Sequence, residues 1–435
     1  MGERWVVSGG RPLHGRLCVQ GAKNAALPMI AAALLAGDPC HLVDAPRLRD
    51  VQEMAEIAAE LGAAVDWGRA GPGGWTLTLD ARGIGSADVP AEAPRRIRSS
   101  ALLLGALLAR RGRVAIPQPG GCEIGPRPID LHLRGLEALG ARVREERGTV
   151  VAEAAALRGA DIHLDLPSVG ATENLMLAAT AARGRTVLLN AAREPEVAAL
   201  QGILCRMGAR VRGAGTSRIV IDGGHPLSGG TETVIPDRIE AGTWLLAAQL
   251  TGGELTLDNA VPEHVSALAA KLEDAGCPLV GAPPLVLVAR GRQRPQATDV
   301  MTLPYPGFPT DLQNQFMTLL AVAQGTSIVT ETIFADRFRP VPSLAHMGAQ
   351  ITVYGRMAVV NGVRRLRGAE VHASRDLRGA AALLLAALAA DGTTILHGAD
   401  ALHRGYADVV ERLRSVGAGV SVEEEEEEEE ETGAR

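Results

Sequence analysis

Leu61-Gly62-Ala63, Leu139-Gly140-Ala141, Met207-Gly208-Ala209, Ala275-Gly276-Cys277, Met347-Gly348-Ala349 and Val416-Gly417-Ala418 are six versions of one phrase. Each sets a glycine between an apolar residue and a small one. The glycines stand 78, 68, 68, 72 and 69 residues apart, so units of about 70 residues fill nearly all of a 435-residue chain. Repetition at that period means that one supersecondary unit is used again and again. Each phrase closes an amphipathic helix, such as Val409 to Val416, and opens a β-prone segment. The glycine therefore reads as the left-handed residue just past a helix end.

Outward from the phrase, each unit begins with an Ala/Leu-rich helix. These span Asn24 to Leu35, Arg98 to Leu108, Thr172 to Ala181, Glu240 to Leu250, Asp311 to Val322 and Leu377 to Ala389. They are apolar nearly all round, which places them in the interior. A glycine turn and a short strand follow, as in Gly184 to Leu189 and Gly392 to Leu396. The amphipathic helix then covers the sheet. The expected class is α/β, with helices inside and sheets around them. The chain is longer than one core usually organises, so the six units divide most simply as three plus three. Strands at Trp5 to Val7 and Arg16 to Val19 precede the first unit. Pairing with the last half of the chain would make that domain discontinuous.

Composition narrows the function. Hydrophobic residues make up 46% and aromatic residues 3%, so the cores are aliphatic and base-stacking platforms for nucleic acid are disfavoured. The net charge is -6, but nine glutamates form the run Glu423 to Glu431 and the rest of the chain carries +3. A slightly basic body suits small anionic ligands and is too weak for a nucleic-acid groove. The glutamate run reads as a solvated, disordered tail. The five cysteines, Cys18, Cys40, Cys122, Cys205 and Cys277, are scattered and form no CxxC pair, so neither disulfides nor a zinc site is expected. All but Cys122 flank apolar residues and read as buried small hydrophobes. The start Met1-Gly2-Glu3-Arg4-Trp5 lacks a signal-peptide design, and apolar runs such as Ala380 to Ala390 are too short to span a bilayer. A cytoplasmic location without membrane insertion is expected.

Charged clusters stand at the mouths of the units. Pro119 to His132 places Cys122 on a glycine-rich loop, with Arg127 five and Asp130 eight positions later. A nearby guanidinium favours a thiolate, and arginine suits bidentate phosphate or carboxylate binding. Gly21-Ala22-Lys23-Asn24 opens the first buried helix, where an ammonium and free N–H groups make an anion site. A plain capping Asn is the other reading. Pro236-Asp237-Arg238-Ile239-Glu240 and Phe308-Pro309-Thr310-Asp311 open two more buried helices. Asp311 is either a cap or a general base. Asp376-Leu377-Arg378 and His403-Arg404-Gly405-Tyr406 add two guanidiniums in the last unit. Lys23, Arg127, Arg378 and Arg404 would surround one polyanionic ligand if the mouths meet. Walker, HExxH and GxSxG motifs are absent.

These motifs, with Pro167-Ser168-Val169-Gly170-Ala171-Thr172-Glu173-Asn174 and Ala191-Ala192-Arg193-Glu194-Pro195-Glu196, resemble those of the UDP-N-acetylglucosamine 1-carboxyvinyltransferases. That family consists of the enolpyruvyl transferases that open peptidoglycan synthesis. The resemblance runs over roughly residues 4 to 420. It implies an inside-out α/β barrel of two domains with three repeats each. Domain I would comprise residues 1–21 and 233–422, domain II residues 22–232 with the Cys122 loop, and residues 423–435 the tail. It also implies the chemistry. Cys122 would protonate the methylene carbon of phosphoenolpyruvate and be alkylated by fosfomycin. Lys23, Arg127 and Arg404 would grip that substrate's anionic groups, and Asp311 would take the proton of the sugar 3-hydroxyl. Asp376 and Arg378 would complete the site. Asn24, Arg98, Arg127, Pro128, Ile129, Asp130, Leu131, Ser168, Val169 and Ile333 would bind the UDP-sugar. No cofactor and no metal are implied, and the protein would be a monomer or weak homo-oligomer. Roles in cell shape, cell cycle and division would follow. The competing readings are transfer to another acceptor, such as shikimate 3-phosphate or a different nucleotide sugar, and a non-catalytic, regulatory UDP-sugar-binding paralogue.

Overall fold

Six glycines take the left-handed conformation where the repeated phrase requires it, with φ of 109° at Gly62, 93° at Gly140, 104° at Gly208, 73° at Gly276, 96° at Gly348 and 95° at Gly417. A side chain at such a φ is strained, so the phrase is a helix stop written into each unit. A computed structural model describes residues 3–70, 74–118, 125, 128–282, 286–291, 293–373 and 376–424. Among them, the strands form six sheets, five of four strands and one of three. The units are thus visible one by one.

Each unit packs its first helix inside. These helices run Lys23–Ala33, Leu103–Arg111, Val169–Thr180, Arg238–Thr251, Gln313–Ala321 and Leu377–Ala389. Every residue of Lys23–Ala33 except Asn24 is buried, and so is every residue of Gln313–Ala321. Close helix contact depends on glycine at one point. A Cβ at Gly105 would lie 2.2 Å from the Asn174 carbonyl oxygen, so only glycine lets Leu103–Arg111 and Val169–Thr180 touch there.

The five four-stranded sheets share one topology, and in the three-stranded one the leading strand is reduced to a parallel bridge between Asp88 and Ala115. A leading strand pairs in parallel with the strand after the inner helix, and two antiparallel strands follow. Asp161–His163, Gly184–Leu189, Arg218–Gly223 and Arg210–Arg212 show the pattern. Two units exchange their leading strands. His14–Cys18 precedes the first inner helix, yet pairs with Glu254–Asp258 of the fourth unit. Thr231–Thr233 precedes the fourth inner helix, yet pairs with Cys40–Val43 of the first. The chain therefore crosses twice between two halves, and the two passages touch through a bridge between Gly21 and Pro236. The strand Glu3–Ser8 lies between Thr393–His397 and Gly419–Glu424, completing the sixth sheet from the opposite end of the chain.

The buried side chains form two cores. One runs from Ala22 to Val234; the other joins Trp5 through Val19 to Ile239 through Val420. Three differences from the sequence reading have simple causes. Cys18 and Cys205 are exposed, whereas Cys40 and Cys277 are buried. Cys18 alternates outward between buried Leu17 and Val19 in strand phase, and Cys205 faces out while Ile203, Leu204 and Met207 face in. Glu423 and Glu424 do not belong to a free tail but extend the last strand, where Arg4 pairs with Glu423 at 2.6 Å. No helix among the described residues is long and apolar enough to cross a membrane.

Candidate active site

Lys23 starts the first inner helix where the two passages are pinned, since the Ala22 amide donates to the Ile235 carbonyl at 2.7 Å. Its side chain is 11% exposed, and Nζ lies 3.1 Å from Oδ2 of Asp50, which is 6% exposed. Asp50 sits in the first turn of Arg49–Glu60. Its Oδ1 accepts Nε of Arg404 at 3.0 Å. Arg404 ends the short turn Ala399–Arg404 of the other half, so this carboxylate ties the halves together. Burial pushes the Lys23 ammonium pKa down, Arg378 and Arg404 add to that, and Asp50 opposes it. Burial works against the Asp50 charge too, but Lys23 and Arg404 outweigh it and hold Asp50 below the usual carboxylate range.

A second cluster lies within one half. Asp311, in the turn Thr310–Leu312, pairs with Arg337 and, at 3.0 Å, with Nη2 of Arg378. Arg337 is 2% exposed and also reaches Asp376 at 3.4 Å. Asp376 caps the last inner helix by accepting the amides of Arg378 at 3.2 Å and Gly379 at 3.0 Å. Arg378 further donates to the Tyr406 hydroxyl at 3.4 Å. Burial raises the Asp311 pKa, but Arg378, Arg337 and Lys23 overcome it and hold the carboxyl far below its usual range. The Asp311 side chain therefore engages guanidiniums rather than capping its helix; Asp237 does cap one, accepting the Ile239 amide at 2.8 Å. A carboxylate so held is a weak base. It gains basicity when its guanidiniums turn to another anion.

The remaining predicted residues line the first half, apart from Ile333. Asn24 follows Lys23, half-buried. Ser168 caps Val169–Thr180, its Oγ accepting the Ala171 amide at 3.3 Å, and Val169 opens that helix. Arg98 opens the turn Arg98–Leu102 and, after burial, is the next influence that lowers His132 to about 4. Pro128 and Ile129 lead into Asp130–Ala138, which carries Leu131; Asp130 lies 3.7 Å from Arg134. Ile333 belongs to the second half, in a turn fixed by Glu331, whose Oε1 accepts the Ile333 amide at 2.7 Å. Cys122 and Arg127 lie outside the described residues. Gly125 of the same loop is described, and a Cβ there would sit 3.4 Å from the Ala335 Cβ across the halves. Gly125 thus lies beside the segment that carries Arg337.

Two residues of the site escaped the sequence reading. Asp50 looks like an ordinary first-turn acid, and Arg337 stands in the unremarked run Asp336-Arg337-Phe338-Arg339. The surplus of cations over acids in the predicted set was a signal for Asp50, and no sequence signal pointed to Arg337.

The model of the family described as EPSP synthase (3-phosphoshikimate 1-carboxyvinyltransferase) matches residues 7–413. UDP-N-acetylglucosamine 1-carboxyvinyltransferase 1 of Symbiobacterium thermophilum is 52% identical over 420 residues, covering 96% of this chain and 95% of its own. The enzyme of that name numbered 2 from Caldanaerobacter subterraneus subsp. tengcongensis is 48% identical, covering 96% and 99%. The chain belongs to the UDP-N-acetylglucosamine 1-carboxyvinyltransferases. Enolpyruvyl transferase NikO from Streptomyces tendae superposes with a TM-score of 0.86 at 27% identity, over 97% of this chain and 99% of that one. EPSP synthase from Acinetobacter baumannii, at 18% identity and a TM-score of 0.75 over 98% and 100%, shares the fold. Six sheets around six buried helices are thus the architecture of the wider enolpyruvyl transferases as well as of this family.

Proposed function

We propose that the protein transfers the enolpyruvyl group of phosphoenolpyruvate to the 3-hydroxyl of UDP-N-acetylglucosamine and releases phosphate. The observation that carries this reading is the meeting of Lys23 and Arg404, from opposite halves, at one buried carboxylate in a chain about half identical to enzymes of that name. Lys23, Arg404 and Arg127 bind the phosphate and carboxylate of phosphoenolpyruvate. Cys122 gives a proton to the methylene carbon while the sugar 3-oxygen bonds to the neighbouring carbon and Asp311 takes the hydroxyl proton. Loss of phosphate from that carbon, and of a proton from the new methyl group, then leaves the enol ether. Arg378 and Arg337 hold Asp311, and Asp376 fixes Arg337 and the helix that carries Arg378. Asn24, Arg98, Pro128, Ile129, Asp130, Leu131, Ser168, Val169 and Ile333 cradle the UDP-sugar. The two cores act as two domains, residues 1–21 with 233–422 and residues 22–232, which close on the sugar. The protein serves peptidoglycan synthesis in the cytoplasm, and so cell shape, cell cycle and division, as a monomer or weak homo-oligomer.

Phosphate release from phosphoenolpyruvate tests this directly. It should require UDP-N-acetylglucosamine and stop after fosfomycin treatment. Cys122→Ser should lose most turnover and keep sugar binding. Release that ignores the sugar, or its absence while the sugar binds, would overturn the assignment.

A further inference from the structure

We propose that Asp50 is a positioning residue for phosphoenolpyruvate: by bridging Lys23 and Arg404 across the two halves, it sets where these two cations meet the substrate's anionic groups. The inference rests on the function proposed above. It starts from a mismatch of address. An acid in the first turn of a helix ordinarily faces the free N–H groups there and contributes to helix stability. Asp50 does otherwise. Its Oδ2 takes Lys23 at 3.1 Å and Nη2 of Arg404 at 3.4 Å, and its Oδ1 takes Nε of Arg404 at 3.0 Å. The cap residue of that helix, Leu48, provides no side-chain bond, so the turn is not built around capping.

Burial makes the arrangement consequential. Asp50 and Lys23 are both buried. A buried ammonium without a carboxylate gives up its proton readily. The charged groups that act on Lys23 are Asp50 from its own half and Arg378 and Arg404 from the other, and Asp311 in turn senses Lys23. Asp50 is thus the counter-charge that lets two guanidiniums and an ammonium converge before phosphoenolpyruvate arrives. It also fixes geometry. Lys23 is held on a helix end and Arg404 on a short turn of the opposite half, and both are aimed at one point. A phosphate that approaches that point meets cations already oriented, which is how a site avoids reorganisation during reaction.

The test compares wild type, Asp50→Asn and Asp50→Glu in steady-state kinetics across pH. For Asp50→Asn, kcat/KM for phosphoenolpyruvate should fall about 10- to 100-fold, the scale of a 1 Å misplacement. KM for UDP-N-acetylglucosamine should stay within about twofold, because the sugar-binding residues are elsewhere. The basic limb of the phosphoenolpyruvate profile should move to lower pH, since Lys23 loses the charge that holds its proton. Asp50→Glu should restore the limb while leaving KM for phosphoenolpyruvate raised. A merely structural role would shift both substrates together and leave the limb in place. That result, or wild-type behaviour of Asp50→Asn, overturns the inference. If Asp50→Asn does not fold, Asp50→Glu carries the test alone: a raised KM for phosphoenolpyruvate with KM for UDP-N-acetylglucosamine within about twofold supports the inference, and a shift of both together, or of neither, overturns it. Wild-type protein without sugar-dependent phosphate release would instead overturn the function itself, so the two failures are distinct.

Discussion

Two charged clusters flank the site, and they are built differently. Asp311, Arg337, Arg378 and Asp376 all belong to one half, bonded to one another whatever the other half does. Lys23 and Asp50 belong to the first half and Arg404 to the second, so their cluster exists only where the halves meet. The difference separates two tasks. The acid nearest the proposed proton transfer is preorganised by its own domain. The proposed anion site draws its cations from both halves, so it depends on how the two are placed. Breaking the first cluster should therefore damage chemistry, and breaking contacts between halves should damage closure and stability.

Asp311→Asn gives the largest expected effect. General base catalysis contributes about 10²- to 10⁴-fold, so kcat should fall by about 10³-fold. Binding of UDP-N-acetylglucosamine, read by calorimetry, should change little. Arg337 keeps Asp376 and the Thr310 carbonyl, and Arg378 keeps Tyr406, so neither guanidinium is stranded. A variant within tenfold of wild-type kcat would remove Asp311 from the chemistry.

The contacts between halves offer the counter-test. Arg238 donates to Glu196 at 3.0 Å, with the two side chains 11% and 4% exposed. Glu194 accepts the Tyr305 amide at 3.3 Å across the same boundary. Arg238→Met would leave these carboxylates buried without their cation. Removal of one partner from such a pair costs about 3–5 kcal/mol. The loss should appear in urea unfolding at neutral pH, and a change below about 1 kcal/mol would mean that the pair does not hold the halves.

What the sequence disclosed follows the same division. The buried helices and their glycine stops are local features, since an all-apolar helix and a left-handed glycine each announce themselves within a few residues. The exchanged leading strands do not. His14–Cys18 is the partial exception, since strands ahead of the first unit suggest pairing with the last half of the chain, but nothing in Thr231–Thr233 says that it pairs with the first unit, because that partner is set by the whole fold. The site divides likewise. Lys23, Asp311, Asp376, Arg378 and Arg404 stand at helix ends or on turns, where charge is conspicuous. Asp50 gains its meaning only when Lys23 meets Arg404, 354 residues from Asp50, and Arg337 only from two acids brought to it by separate units.

The smallest expected effect sharpens the picture of the boundary, because it isolates charge from packing. Glu173 is buried near Glu194 and Glu196; among the described residues its Oε1 has no hydrogen-bond partner, and neither has Oε2 of Glu194 or Glu196. Burial, with the two neighbouring carboxylates adding, pushes its pKa well above the ordinary value. The folded protein therefore keeps Glu173 protonated after the unfolded chain has released its proton. Stability is complete below the unfolded pKa of about 4.3 and declines above it by about 1.4 kcal/mol per pH unit, until the folded pKa is reached. Glu173→Gln keeps the shape, removes the titration and supplies two donors beside the unsatisfied carboxyl oxygens of Glu194 and Glu196. At pH 4 it should match wild type within about 1 kcal/mol, and by pH 7 it should be the more stable protein by about 1–3 kcal/mol. Parallel stability–pH curves for the two proteins would show instead that Glu173 is ionised in the fold.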